Sequence, residues 1–110
     1  MKKYTLNDAM VQEICGLFAA LGDPSRLKIL RAILQSAAPL SQREIAETVG
    51  LSQANASKHL GVLVRAGLAT RRPEGNLVFF EAVDPLVGQV CDLVCSHVSE
   101  RARSAYHALK

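Results

Sequence analysis

The chain has 110 residues, 49% of them hydrophobic, and a formal net charge of +3. That length predicts one domain over 1–110 with a modest core, of the size that a second copy often completes. The mild basic excess suits a polyanionic partner, while no stretch nears the ~20 apolar residues of a membrane span and the start, MKKYTLND, lacks an apolar signal core. A cytoplasmic protein with reduced thiols is expected. Cys15, Cys91 and Cys95 are an odd set without short pairs, which argues against a disulfide framework or a zinc finger. No Gly-rich phosphate loop, nucleophile elbow or clustered acid–base pair is present, so the chain does not read as an enzyme.

Met10, Ile14, Leu17, Phe18 and Leu21 recur at helical spacing and predict a first helix over residues 6–21. Gly22-Asp23-Pro24 breaks it. Asp23 can cap the next helix, and Pro24 suits its first turn. Leu27, Ile29, Leu30, Ile33 and Leu34 carry that second helix to about residue 37, and Pro39 ends it.

Residues 41–68, SQREIAETVGLSQANASKHLGVLVRAGL, hold the strongest signal. They read as a short helix, a Gly turn and a second helix with a small, polar outer side. That is the layout of a helix-turn-helix that lays its second helix in the DNA major groove. Ser41 and Glu44 have capping-box spacing, Gly50 can end the first helix, and Ser52 can cap the second. Ala56, Leu60, Leu63 and Val64 face inward, and Gly67 closes the helix. Ala54, Lys58, Gly61 and Arg65 point away, flanked by Asn55, Ser57 and Val62.

Residues 68–72 and 77–82 then predict two strands around the turn Pro73-Glu74-Gly75-Asn76, a wing directly after the recognition helix. Asp84 and Pro85 open a last helix that runs to about residue 107. Its stripe of Val87, Val90, Cys91, Val94, Val98, Ala102 and Ala105 is close to heptad spacing, and nothing in the chain remains to cover it. The expected fold is mostly α with a small β-hairpin wing: a winged helix-turn-helix, homodimeric through its first and last helices.

With motif and wing in place, the chain resembles the arsenical-resistance-repressor (ArsR/SmtB) family over nearly its whole length. The carriers are LFAALGDPSRLKILRAIL (17–34), LSQANASKHLGVLVRAGL (51–68) and RRPEGNLVFFEAV (71–83). The middle segment holds Ser57-Lys58-His59-Leu60, Leu63 and Gly67-Leu68 where the family has its Ser-x-His-Leu core. The resemblance implies a homodimeric winged-helix repressor that leaves operator DNA when an effector binds, and it carries His59 as a packing position.

Gln53 and Asn55 can each pair bidentately with adenine, and Ala54 can touch a thymine methyl. Ser57 and Lys58 suit phosphates or base edges. Arg71 and Arg72, at the wing's stem, suit a phosphate or the minor groove, where Arg is favoured. Ser41 and Arg43 are further phosphate candidates. Each of these also reads as an ordinary cap or solvated polar residue.

No constitutive cofactor is expected, but an effector is. The family's Cys-x-Cys is replaced by Ser41-Gln42-Arg43 in the first motif helix. Leu30 occupies the place of the cysteine used by persulfide-sensing members. Cys91 and Cys95 lie four apart on one helix, and with Cys15 they form a candidate trigonal thiolate site for trivalent arsenic or antimony or another thiophilic ion. Buried cysteines also serve as small hydrophobes. Alternatives are a zinc site at Asp84, His97 and Glu100, with Leu86 where the family has a His, a thiol-redox or reactive-sulfur switch, and a winged-helix protein-interaction adaptor.

Overall fold

A computed structural model describes residues 5–83 and 85–108. In chain order it contains α1 (Asp8–Leu21), α2 (Pro24–Gln35), β1 (Leu40–Ser41), α3 (Gln42–Val49), α4 (Gln53–Arg65), β2 (Ala69–Glu74), β3 (Leu77–Ala82) and α5 (Leu86–Ala108). The helix-rich winged fold is as expected from the sequence. The sheet is wider than expected, because β1 joins it: Leu40 pairs with Phe80 and Ser41 with Phe79, giving the antiparallel order β1-β3-β2.

Local chemistry sets the helix ends. Asn7 caps α1 by accepting the Met10 N–H at 2.9 Å, so the helix starts two residues later than its apolar spacing suggested. Asp23 caps α2 through the Arg26 N–H at 3.0 Å, and Pro24 sits in the first turn. That helix stops at Gln35, short of residue 37, because Ser36 turns extended and its hydroxyl donates to the Ala38 carbonyl at 2.6 Å. Asp84, expected to cap α5, lies outside the described residues.

The core lies where α2, α3, α4 and the sheet meet. Ile29, Leu30, Ile45, Leu60, Leu63 and Leu68 are fully buried, joined by Phe80. Each such side chain contributes about 1.5–3 kcal/mol by leaving water. The end helices contribute little: Ala20 is the buried residue of α1 and Val87 that of α5. Much of their remaining apolar surface is open, with Phe18 67%, Leu93 72%, Val94 55% and Val98 57% exposed.

The predicted capping box of α3 is complete. Ser41 Oγ accepts the Glu44 N–H at 3.1 Å, and Glu44 Oε1 accepts the Ser41 N–H at 3.0 Å. The bond from the Ser41 backbone, then that from its hydroxyl, hold the Glu44 carboxyl below its ordinary 4.5. A carboxyl whose folded pKa is depressed adds stability above its unfolded pKa, and that stability is lost as pH falls through the folded value. Ser41→Ala is therefore expected to cost about 1 kcal/mol at neutral pH, and less once Glu44 is protonated. Urea unfolding of both proteins at pH 7 and pH 3 checks this. An equal cost at both pH values would dissociate the cap from the carboxylate.

Candidate DNA-binding face

The helix-turn-helix is held together by two left-handed glycines. Gly50 takes φ 74° at the end of α3 and lets Leu51 N–H reach the Ala46 carbonyl at 2.9 Å. Gly67, at φ 77°, does the same for α4. Its N–H bonds the Val64 carbonyl at 3.0 Å, and Leu68 N–H bonds that of Leu63 at 2.9 Å, a complete Schellman motif. Ser52 starts α4 by accepting the Asn55 N–H at 3.1 Å. Ala56, Leu60 and Leu63 then face the core at zero exposure, and Val64 is half-buried.

This packing turns the predicted reading residues outward. Gln53, Ala54, Asn55, Ser57 and Lys58 are all exposed on α4. The side chains of Gln53, Asn55, Ser57 and Lys58 make no hydrogen bond or ion pair with the described residues; beyond the helix's own bonds, the Gln53 carbonyl accepts from Gln42 at 3.5 Å and the Asn55 N–H serves the Ser52 cap. Arg65 is exposed, and its guanidinium folds back over Gly61, where a Cβ would lie 3.1 Å from Nη1. Ser41 is buried and its hydroxyl is used in the cap, so it does not face a phosphate as suggested. Arg43 is exposed and pairs with Glu47 at 3.5 Å.

The wing treats its two arginines differently. Arg71 pairs across the ladder with Phe80 and Arg72 with Phe79, so they lie on opposite faces of the sheet. Arg71 shares the face of buried Ala69 and Phe80, the face against which α4 packs, and has no partner among the described residues. Arg72 lies over the Phe79 ring at 5.8 Å and pairs with Glu74 at 3.6 Å. The hairpin loop is Gly75-Asn76 alone, since Glu74 still pairs with Leu77. The turn is thus two residues tighter than its sequence suggested, because Pro73 on an edge strand keeps its pairing partner without needing an N–H. Arg71→Ala is expected to lower operator affinity about tenfold and Arg72→Ala by less than about threefold, since Arg72 must first leave Phe79 and Glu74. Fluorescence anisotropy on the promoter duplex separates them; the reverse order would show that Arg72 is the wing's arm.

His59, read as a packing position, is half-buried on the inner flank of α4. Its Nδ1 lies 3.3 Å from Arg26 Nη1 and 3.8 Å from Asp23 Oδ2. Asp23 is held below its ordinary value first by the Arg26 N–H and then by the Arg26 charge, against some desolvation. The sequence singled out Asp23 only as a cap.

The effector candidates are less concentrated. Cys15 and Cys95 are exposed, whereas Cys91 is half-buried and packs against the core. Burial, then the neighbouring Cys95 and Asp92, push the Cys91 thiol up. Among the described residues of one chain, no three His, Cys, Asp or Glu side chains converge on a metal position. Ile14, Leu17, Phe18 and Leu21 of α1 and Leu86, Val87 and Val90 of α5 line an apolar groove of about 220 Å³. Cys15 does not line that groove, and Cys95 lies further along α5. For the zinc alternative, His97 and Glu100 are exposed, Glu100 pairs with Arg103 at 3.7 Å, and Asp84 lies outside the described residues. No helix among the described residues is long and apolar enough to cross a membrane.

A helix-turn-helix with an unengaged polar row, flanked by a hairpin whose Arg71 has no partner among the described residues, is the layout of a winged-helix DNA-binding domain. A helix-turn-helix domain family matches residues 21–72. The cadmium resistance transcriptional regulatory protein CadC homolog of Staphylococcus aureus is 33% identical over 90 residues, 82% of this chain and 74% of that protein. A probable mercury resistance operon repressor of Streptomyces lividans is 39% identical over 77 residues, 70% of this chain; the chain thus spans 58% of that repressor. The chain belongs to the ArsR/SmtB family of transcriptional repressors. Its fold matches the solution structure of a homodimeric winged helix-turn-helix DNA-binding domain from Mycobacterium bovis, a possible ArsR-family regulator. The TM-score is 0.80 at 24% identity, covering 93% of this chain and 95% of that one.

Proposed function

We propose that this chain represses transcription as a cytoplasmic homodimer on an inverted-repeat operator, and that a thiophilic ion of the trivalent arsenic or antimony kind releases it through Cys15, Cys91 and Cys95. The observation that carries the DNA reading is the row of Gln53, Asn55, Ser57 and Lys58, exposed on a helix whose other side is core. Polar groups left unengaged at the surface of a rigid helix are free to exchange water for base edges and phosphates. Two such helices read half-sites about 34–36 Å apart, or a multiple of that.

The dimer rests on the open apolar surface of α1 and α5. The thiol reading follows from the same surface. Cys91 and Cys95 supply two sulfurs from one helix, and Cys15 joins them where the end helices of two copies meet. Three thiolates suit a soft trivalent ion. Because Cys91 is held protonated by burial, capture of the ion displaces a proton and strengthens as pH rises. The metal names of the two relatives, cadmium and mercury, belong to the same thiophilic class.

One titration tests both halves. The reduced protein is bound to its own promoter duplex and challenged with arsenite, antimonite, zinc and a polysulfide, alongside Cys15→Ser, Cys91→Ser and Cys95→Ser. Arsenite or antimonite is expected to release the parent, with each variant needing at least about tenfold more, since even a group that only orients a metal ligand is typically worth that much. Release of all three variants at the parent's concentration removes the thiol site and leaves the DNA reading intact. Release by zinc alone transfers the effector to Asp84, His97 and Glu100. Binding to no duplex at any salt concentration makes the chain an adaptor.

A further inference from the structure

The end of α1 and the recognition helix are joined by a single side chain. Helix α1 has no basic residue in its last turn, so its electronegative carbonyl end finds no cation on its own helix. Arg26, in the first turn of α2, fills that place. Its Nε donates to the Ala20 carbonyl at 2.7 Å, and its Nη2 to the Ala19 carbonyl at 3.2 Å. The remaining arm, Nη1, lies 3.3 Å from His59 Nδ1 on α4. A guanidinium has no acceptor atom, so in this contact Nδ1 accepts and the imidazole carries its proton on Nε2. Asp23, the cap of α2, backs the group: its Oδ2 takes the Arg26 N–H at 3.0 Å and stands 3.8 Å from Nδ1. The His59 side chain is only 16% exposed, so an acceptor there has little water to fall back on.

We propose that Arg26 is a positioning residue for DNA binding: its planar fork locks the end of α1 to His59 and thereby fixes the roll of α4. Three acceptors on two separate elements are satisfied by one rigid group. A lysine ammonium, a point charge on a flexible stem, reaches the carbonyls but does not span the set. His59 directly follows Ser57 and Lys58 on α4, but faces inward while they face out. Rotating the imidazole away therefore rolls the outward row. A displacement of α1 at the proposed dimer and thiol face reaches the reading helix through this guanidinium without passing through the core. The inference rests on the DNA reading of α4 for its consequence, but the bridge itself belongs to the protein free of DNA.

The test approaches the bridge from both ends with Arg26→Lys and His59→Phe, each checked for helix content by circular dichroism. In the free protein, amide hydrogen exchange is expected to rise about tenfold in both variants, at the end of α1 and in the middle of α4. Loosening confined to the substituted residue's own helix overturns the bridge. On the promoter duplex, each variant is expected to bind about tenfold more weakly than the parent, and the double variant no more weakly than either alone. Affinities that fall independently, about a hundredfold in the double variant, assign each residue a separate packing role and sink the proposal. A parent that binds no duplex sinks the DNA reading instead, and the exchange measurement still decides whether the two helices are linked.

Discussion

Lys58→Glu is expected to lower affinity for the promoter duplex by two to three orders of magnitude at about 0.1 M salt. Lys58 is exposed on α4 and has no partner among the described residues, so its replacement leaves the fold untouched. The change removes an attraction to phosphate and installs a repulsion of similar size. At a few ångströms and the effective dielectric of a protein surface, either is worth about 1–4 kcal/mol before screening. In a dimer the substitution enters twice. The slope of log affinity against log salt should fall by about 2, one for each lost phosphate contact. Anisotropy titrations at several salt concentrations read both quantities. An affinity within about threefold of the parent would remove α4 as the reading helix, since no solvated bystander in a polyanion's groove survives charge reversal.

Phe18→Glu is expected to convert the proposed dimer to a monomer at micromolar concentration and to reduce binding of the proposed operator to that of a single half-site. Phe18 is 67% exposed beside Ile14, Leu17 and Leu21, and the opposite helix presents Leu86, Val87 and Val90. Leu93, Val94 and Val98, all mostly exposed, continue this apolar surface further along α5. A carboxylate placed in its middle is buried without a partner on both copies, at a cost of several kcal/mol each. Sedimentation velocity measures the assembly, and anisotropy the affinity. A variant that remains dimeric would move the interface away from α1 and α5. Because Phe18 is mostly exposed, the substitution tests association rather than folding.

The parts of this molecule that follow local rules were legible in the sequence. Ser41 with Glu44, Ser52, Gly50 and Gly67 mark helix ends through bonds to neighbours within a few residues, and each acts as its spacing implied. The inward row Ala56, Leu60 and Leu63 was equally plain, since helical periodicity needs only one helix. Legibility ends where a partner is distant in sequence. Strand β1 has two residues, too few to alternate, and exists only because Phe79 and Phe80 offer a free edge. Arg71 and Arg72 look interchangeable until the ladder register assigns them opposite faces. Arg26 is one of many arginines in the sequence, and its three acceptors lie on helices before and after its own. The thiols show the converse. Cys91 and Cys95 share a helix as their spacing required, yet among the described residues of one chain Cys15 completes no three-ligand group with them.

Leu68 connects α4 and the wing, the two elements proposed to face DNA, more tightly than their chain order requires. Its N–H closes α4 on the Leu63 carbonyl, its own carbonyl receives the Val83 N–H at 3.0 Å, and its side chain is buried. A knot of this kind forbids the hairpin from folding away while the neighbouring helix stays seated. In the proposed dimer each α4 then carries its own wing with it, like the two points of one caliper arm.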